Sequence, residues 1–165
     1  MHIKEVMSHP VVTCPTNCTL DAAARLMWEF DCGIIPVVND DGRLAGVVTD
    51  RDVCMAAYTQ GRALEAIPLP KAMAKQVVAV HADDSIESAE RLMRDNQIRR
   101  LPVIDSAGRP VGVLAINDLA RLAGRVRRGV VDRELVDTLA AICQPRPGVG
   151  PAVKAPTVEL PVRVA

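Results

Sequence analysis

The fold is decided by two stretches that read alike. The first is Ile35-Pro36-Val37-Val38-Asn39-Asp40-Asp41-Gly42-Arg43-Leu44-Ala45-Gly46-Val47-Val48-Thr49-Asp50-Arg51-Asp52. The second lies 66 residues on and runs Leu101-Pro102-Val103-Ile104-Asp105-Ser106-Ala107-Gly108-Arg109-Pro110-Val111-Gly112-Val113-Leu114-Ala115-Ile116-Asn117-Asp118. Proline, valine, two glycines, arginine and the closing aspartate recur in register. The match extends outward. Met7, Val11 and Val12 meet Met73, Val77 and Val78, and Ala23, Arg25, Leu26 and Met27 meet Ala89, Arg91, Leu92 and Met93. From Val6 to Val53, 14 of 48 positions are identical to those 66 later, without a gap. A repeat at fixed period sets the architecture before any local reading.

Each copy reads β-α-β-β-α. A short apolar strand is expected near Val11–Thr13 and Val77–Val80. A helix follows, with Thr19 or Ser85 placed to cap its free amides. Leu20, Ala23, Ala24 and Met27 recur at helical spacing; in the second copy Ile86, Ala89, Glu90 and Met93 take their places, so a carboxylate interrupts that stripe. Ile35–Val38 and Leu101–Ile104 are β-branched runs, and Leu44–Val48 and Val111–Leu114 pair with them across turns ending in Gly42 and Gly108. Closing helices start near Thr49 and Ile116. The expected class is α/β (α+β): two copies packed sheet to sheet about a pseudo-two-fold, sharing one core, with clefts between them. Residues 3–60 form repeat 1, 61–70 a linker in which Pro68 and Pro70 disfavour regular structure, and 71–128 repeat 2. Val131, Leu135, Leu139 and Ile142 mark an amphipathic helix over 130–143, suited to packing on the core or docking on a partner. Residues 145–165 carry five prolines and no period, and read as a disordered tail.

Composition narrows the function. Of 165 residues, 20 are Lys or Arg and 20 Asp or Glu, so no net field gathers nucleic acid or an anionic membrane. Trp28, Phe30 and Tyr58 are the only aromatic residues, too few for stacking platforms along a nucleic-acid strand. The core must therefore be aliphatic. No apolar run approaches the ~18 residues needed to cross a bilayer, and the start, MHIKEVMSHPVV, has no signal-peptide stretch, so a cytoplasmic protein is expected. Cys14, Cys18, Cys32, Cys54 and Cys143 are irregularly spaced, which suits small buried thiols more than a redox or zinc site. Arg121, Arg125, Arg127 and Arg128 sit where cations offset a helix dipole, with a nucleic-acid or polyphosphate patch as the other reading.

The chemistry lies at the end of each copy. In Gly46-Val47-Val48-Thr49-Asp50-Arg51-Asp52, a strand ends and Thr-x-x-Asp opens a helix. One reading is a capping box. The other adds a ligand: free amides at a helix start welcome phosphate, and a carboxylate accepts two hydrogen bonds from a ribose diol. Thr49 and Asp52 together suit a ribose-phosphate.

The repeat, the IPVVN and LPVID strands and the closing GVVTDRD resemble a tandem CBS-domain pair, or Bateman module, over about Ile3–Arg125, and the layout resembles its stand-alone type. The resemblance implies a non-catalytic regulatory module that needs no cofactor or metal. It implies an adenosine nucleotide (AMP, ADP or ATP) bound between the repeats as regulatory ligand, a homodimer, and signalling to an effector protein. It maps Thr49 and Asp52 onto phosphate and ribose contacts, and Val12, Thr13, Ile34, Ile35 and Pro36 onto the adenine-lining segments. The second site, with Asp118, Val78, Leu101 and Pro102, is weaker because Ala115 replaces the threonine, at a cost of ~0.5–1.5 kcal/mol for one hydroxyl contact. Arg99 and Arg100 replace Gly33 and Ile34. They are either surface charge or, as the resemblance implies, phosphate contacts reaching the first site from the other copy. One good site per chain is expected. The alternatives are a ligand-free structural or redox-responsive CBS protein, an enzyme, for which no spare length or acid/base constellation exists, and a nucleic-acid binder.

Overall fold

In the computed structural model, which describes residues 1–126 and 129–144, each repeat builds one three-stranded sheet and two helices. The first copy comprises β1 (Cys14–Pro15), α1 (Leu20–Glu29), β2 (Ile34–Val38), β3 (Leu44–Thr49) and α2 (Asp50–Gln60). The second comprises β4 (Val80–His81), α3 (Ile86–Asn96), β5 (Arg100–Ile104), β6 (Pro110–Ala115) and α4 (Ile116–Val126). The chain continues into α5 (Gly129–Ile142). In both sheets the middle strand pairs parallel with the first and antiparallel with the third. Gly42 and Gly108 close the hairpins at φ +74° and +79°, where a Cβ would be strained. In these turns the side-chain oxygens of Asn39 and Asp105 accept the amides of Arg43 and Arg109.

Strand alternation separates two faces. Ile35, Val37 and Val48 point to the helices of the first copy, as Leu101, Val103 and Leu114 do in the second; all are fully buried. The partners Ile34↔Thr49 and Pro36↔Val47, with Arg100↔Ala115 and Pro102↔Val113, occupy the opposite faces. The repeats meet on that side: the Leu44 amide donates to the Gly108 carbonyl at 2.9 Å, and Arg100 reaches the start of α2.

The buried aliphatics form two clusters, not the one shared core expected. The reason is a reciprocal exchange of segments. Ile3 lies fully buried among second-copy residues, while Ile67 and Leu69 lie fully buried among first-copy residues. The backbone follows the same rule. The Ile3 amide donates to Asp84, and Ser8 and Val113 exchange amide–carbonyl bonds; 66 residues on, Leu69 donates to Cys18, and Ala74 and Val47 exchange theirs. Burying each of these aliphatic side chains contributes ~1.5–3 kcal/mol.

Other expectations need adjustment. The leading strands begin at Cys14, just past the expected Val11–Thr13, and at Val80, the last residue of the expected Val77–Val80, and Val12 and Val78 pack half-buried beside the cores. Pro36 and Pro102, which carry no amide hydrogen, stand one residue before the parallel pairing begins at Val37 and Val103. The 61–70 segment contains a 3-10 turn over Leu64–Ala66 and the start of another over Leu69–Lys71. Pro70 fits inside the second because the first turn of a helix needs no amide donor. Thr19 stands at the start of α1 without a side-chain cap bond, whereas Ser85 accepts the Ser88 amide. On α5, Leu135 and Ile142 face the second core as expected, but Leu139 is exposed and Thr138 is fully buried instead. Thr138 Oγ1 takes a hydrogen bond from Arg94 and donates to the Glu134 carbonyl, which explains a polar residue in that stripe. The expected tail over 145–165 lies outside the described residues, as do Arg127 and Arg128 of the basic cluster.

The three aromatic side chains are all at the surface: Trp28 is 89%, Tyr58 82% and Phe30 57% exposed. Glu90 is the reverse case, a carboxylate only 4% exposed. It borders an 80 Å³ cavity between α3, α4 and α5, beside Glu134. Burial pushes its carboxyl above the usual range, and the Glu134 charge adds to this.

Two outcomes follow from this packing. A Cβ on Gly46 would lie 2.8 Å from Met73 Sδ and 2.9 Å from the Ala74 carbonyl oxygen, so Gly46→Ala should lower stability by about 1–3 kcal/mol in a denaturant titration. An unchanged midpoint would show that the exchanged segment is not held this tightly. A raised folded-state pKa at Glu90 makes its contribution fullest below the ordinary glutamate value of about 4.3 and lost as pH rises through the raised value. Glu90→Gln should therefore melt higher than wild type at pH 7, with the gain shrinking toward pH 4. A pH-independent difference would contradict this.

Candidate functional site

Thr49 ends β3 and starts α2, so its backbone is extended while the next residues are helical. This places Thr49 and Asp52 in a capping box. The Thr49 amide donates to Asp52 Oδ2 at 2.9 Å, Thr49 Oγ1 donates to the same oxygen at 2.7 Å, and the Asp52 amide donates back to Oγ1 at 3.3 Å. Both sequence readings meet here: the cap is made, yet one carboxylate oxygen is left over. Asp52 Oδ1 has no protein donor among the described residues, and Asp52 is only half-buried.

Beside the start of α2 the structure gathers part of the expected set. Ile34 stands opposite Thr49 in the β2–β3 register, 7% exposed yet a member of neither core cluster. Pro36 lies on the same face, two residues along. Arg100 crosses from the second repeat: its guanidinium lies 3.8 Å from Asp50 Oδ2 at the start of α2. Gly33 is what lets it in, since a Cβ there would fall 2.5 Å from Arg100 Nη2. Arg99 is exposed and bonds the start of α4 through its carbonyl, which accepts the Ile116 amide. Val12 and Thr13 are half-buried in the segment before β1.

Two expected wall residues are corrected. Ile35 is expected along the adenine and Leu101 in the weaker second site, but both side chains are fully buried in the cores on the helix-facing side of their sheets. Strand alternation decides this: neighbours of an inward residue must point outward. Ile34 and Pro36, or Arg100 and Pro102, hold the face that the copies share.

The second copy repeats the backbone but not the chemistry. Asp118 Oδ2 accepts the Ala115 amide at 2.7 Å, as the cap requires. Ala115 supplies no hydroxyl, but Ser8 does, donating from the exchanged N-terminal segment to Asp118 Oδ1 at 3.3 Å. Arg121 then forms an ion pair with the same Oδ1. Asp118 is 2% exposed. Its counterpart Asp52 lacks both partners, because Ser8 corresponds to Ala74 and Arg121 to Met55. Sequence reasoning assigned Arg121 to the helix dipole; its i, i+3 spacing from Asp118 was the available signal.

An open cleft of about 600 Å³ lies between the hairpins, lined by Asn39, Asp41, Arg43, Ala107 and Arg109, at the far end of β3 from Thr49. Among the described residues no helix is long and apolar enough to cross a membrane.

The family model described as the CBS domain matches this chain twice, over residues 3–58 and 66–125. The chain belongs to the CBS-domain family. The CBS domain-containing protein YhcV of Bacillus subtilis is 39% identical over 118 residues, covering 72% of this chain and 82% of that protein. Hypoxic response protein 1 of Mycobacterium tuberculosis is 32% identical over 142 residues, covering 86% of this chain and 94% of that protein. A crystal structure of Hypoxic Response Protein I with two coordinated zinc ions matches at TM-score 0.66 and 32% identity, over 73% of this chain and 98% of that one. The CBS domain pair of protein MJ0100, in complex with 5′-methylthioadenosine and S-adenosyl-L-methionine, matches at TM-score 0.69 and 25% identity, over 75% and 96%.

The five cysteines of the chain differ in kind, contrary to the expectation of buried thiols. Cys14 is buried, Cys18 and Cys32 half-buried, and Cys54 and Cys143 exposed. Burial pushes the Cys14 thiol up to about 12, with the Cys18 hydrogen bond adding to it; burial also raises Cys32. The thiolate is the reactive form. A thiol reagent at pH 8 should therefore label Cys54 and Cys143 first, and Cys14 only on unfolding, as read by mass spectrometry of the labelled protein. Early labelling of Cys14 would refute the assignment.

Proposed function

We propose that this CBS pair is a non-catalytic regulatory module. It binds one adenosine nucleotide (AMP, ADP or ATP) per chain in the first-copy site and signals occupancy to an effector protein, as a cytoplasmic homodimer. The observation that carries this reading is the open Oδ1 of Asp52 beside the Thr49 cap, with Arg100 arriving from the other repeat. A ribose diol donates to Asp52; a phosphate takes the guanidinium of Arg100, a charge-assisted contact. Ile34 and Pro36 offer the aliphatic surface for the base. MJ0100, a CBS pair with adenosine ligands bound, supports the ligand class.

The same arrangement supplies a signal. In the free chain Arg100 is paired with Asp50, which ties repeat 2 to α2 of repeat 1. A phosphate competes with Asp50 for that guanidinium. Binding then changes the tie between repeats, and a ligand shifts a conformational equilibrium only through such a difference.

Thermal melting against AMP, ADP, ATP and S-adenosylmethionine tests the reading. At 100 times its dissociation constant a ligand stabilises by ~2.7 kcal/mol. The expected result is a raised melting temperature with at least one of them, mostly lost in Asp52→Ala and kept in Asp118→Ala. No shift with any ligand at millimolar concentration, or equal loss in both variants, would overturn it.

A further inference from the structure

The second cleft carries its own occupant. We infer that Arg121 sits on Asp118 in place of a ligand and holds the second CBS site shut, with Ser8 as its companion. The inference rests on the nucleotide-binding reading above and adds to it why only one of two homologous sites is open.

The internal repeat supplies the control. Asp52 and Asp118 occupy equivalent positions, and each spends one oxygen on the cap at its own helix start. They differ in the other oxygen. Asp52 Oδ1 has no protein donor among the described residues, whereas Asp118 Oδ1 accepts from Ser8 and from the guanidinium of Arg121. A ribose diol needs that same acceptor, in its charged and uncompensated form. On Asp118 the charge is already neutralised and the oxygen enclosed. Ala115 alone would leave Asp118 with one hydroxyl contact fewer than Asp52. The Ser8 hydroxyl makes up that contact but comes from a different segment, so it covers the carboxylate instead of capping it.

The occupant is also built to be removable. Arg121 is itself 60% exposed while its partner carboxylate is 1% exposed, so the guanidinium reaches in from solvent on a flexible stem. The second site is thus a homologous nucleotide site under intramolecular competition.

The test copies first-copy residues into the second copy. Arg121→Met installs the residue found at position 55, and the number of AMP molecules bound per chain is measured by calorimetry and equilibrium dialysis. The wild-type chain should bind one, Arg121→Met two, and Arg121→Met with Asp118→Ala one again. If Arg121→Met fails to fold, Ala115→Thr with Arg121→Met restores the first-copy cap donor and should bind two. One AMP per chain in every variant overturns the occlusion while leaving the first-site reading intact; two in the wild type does the same. No binding of AMP, ADP, ATP or S-adenosylmethionine to any form overturns both.

Discussion

Everything in this chain depends on two places where backbone passes over a glycine. At Gly46 the segment Met73-Ala74 crosses the third strand of the first sheet, and at Gly112 Met7-Ser8 crosses the third strand of the second. Each crossing exchanges a pair of amide–carbonyl bonds with the next residue, Val47 or Val113. The repeated Met–Gly identities are therefore one feature seen from both sides: methionine lies where only a residue without Cβ leaves room. These crossings deliver Ile3 to one core and Leu69 to the other, and bring Ser8 to Asp118.

A duplicated backbone has been given unequal chemistry by a few positions. Thr49 against Ala115, Ala74 against Ser8, Met55 against Arg121, and Ile34 against Arg100 separate an open carboxylate from a covered one. The changes are coupled through space, not sequence. The hydroxyl missing from position 115 reappears at position 8, on a segment that only the exchange brings near. The outer surface diverges similarly. Arg94 is bonded to Thr138 beneath α5, while Trp28 at the equivalent position of α1 is left to solvent.

Much of this was legible in the sequence. The 66-residue period, the paired strands, the Gly42 and Gly108 turns and the Thr49–Asp52 cap are local, and local chemistry dictates them. The reading failed where a long-range partner decides. Val11 and Val77 look like strand residues, but pairing starts only at Cys14 and Val80. Ile35 and Leu101 are apolar like Ile34, and only the register with β3 and β6 says which face they take. Asp31 and Gln97, equivalent positions, both adopt positive φ after a helix without being glycine, so no residue type announced the turn. Arg121 resembled a dipole cation because nothing local reveals that Asp118 is buried.

The exchange of leading segments has a topological consequence. A chain carrying a single repeat would possess the strap that completes a copy other than itself, and would lack the one it needs. Its core closes only when two such chains trade straps, so the smallest self-sufficient form of this unit is a swapped pair. Linking the two units in one polypeptide turns that concentration-dependent association into an intramolecular closure, and binds the stability of either half to the presence of the other.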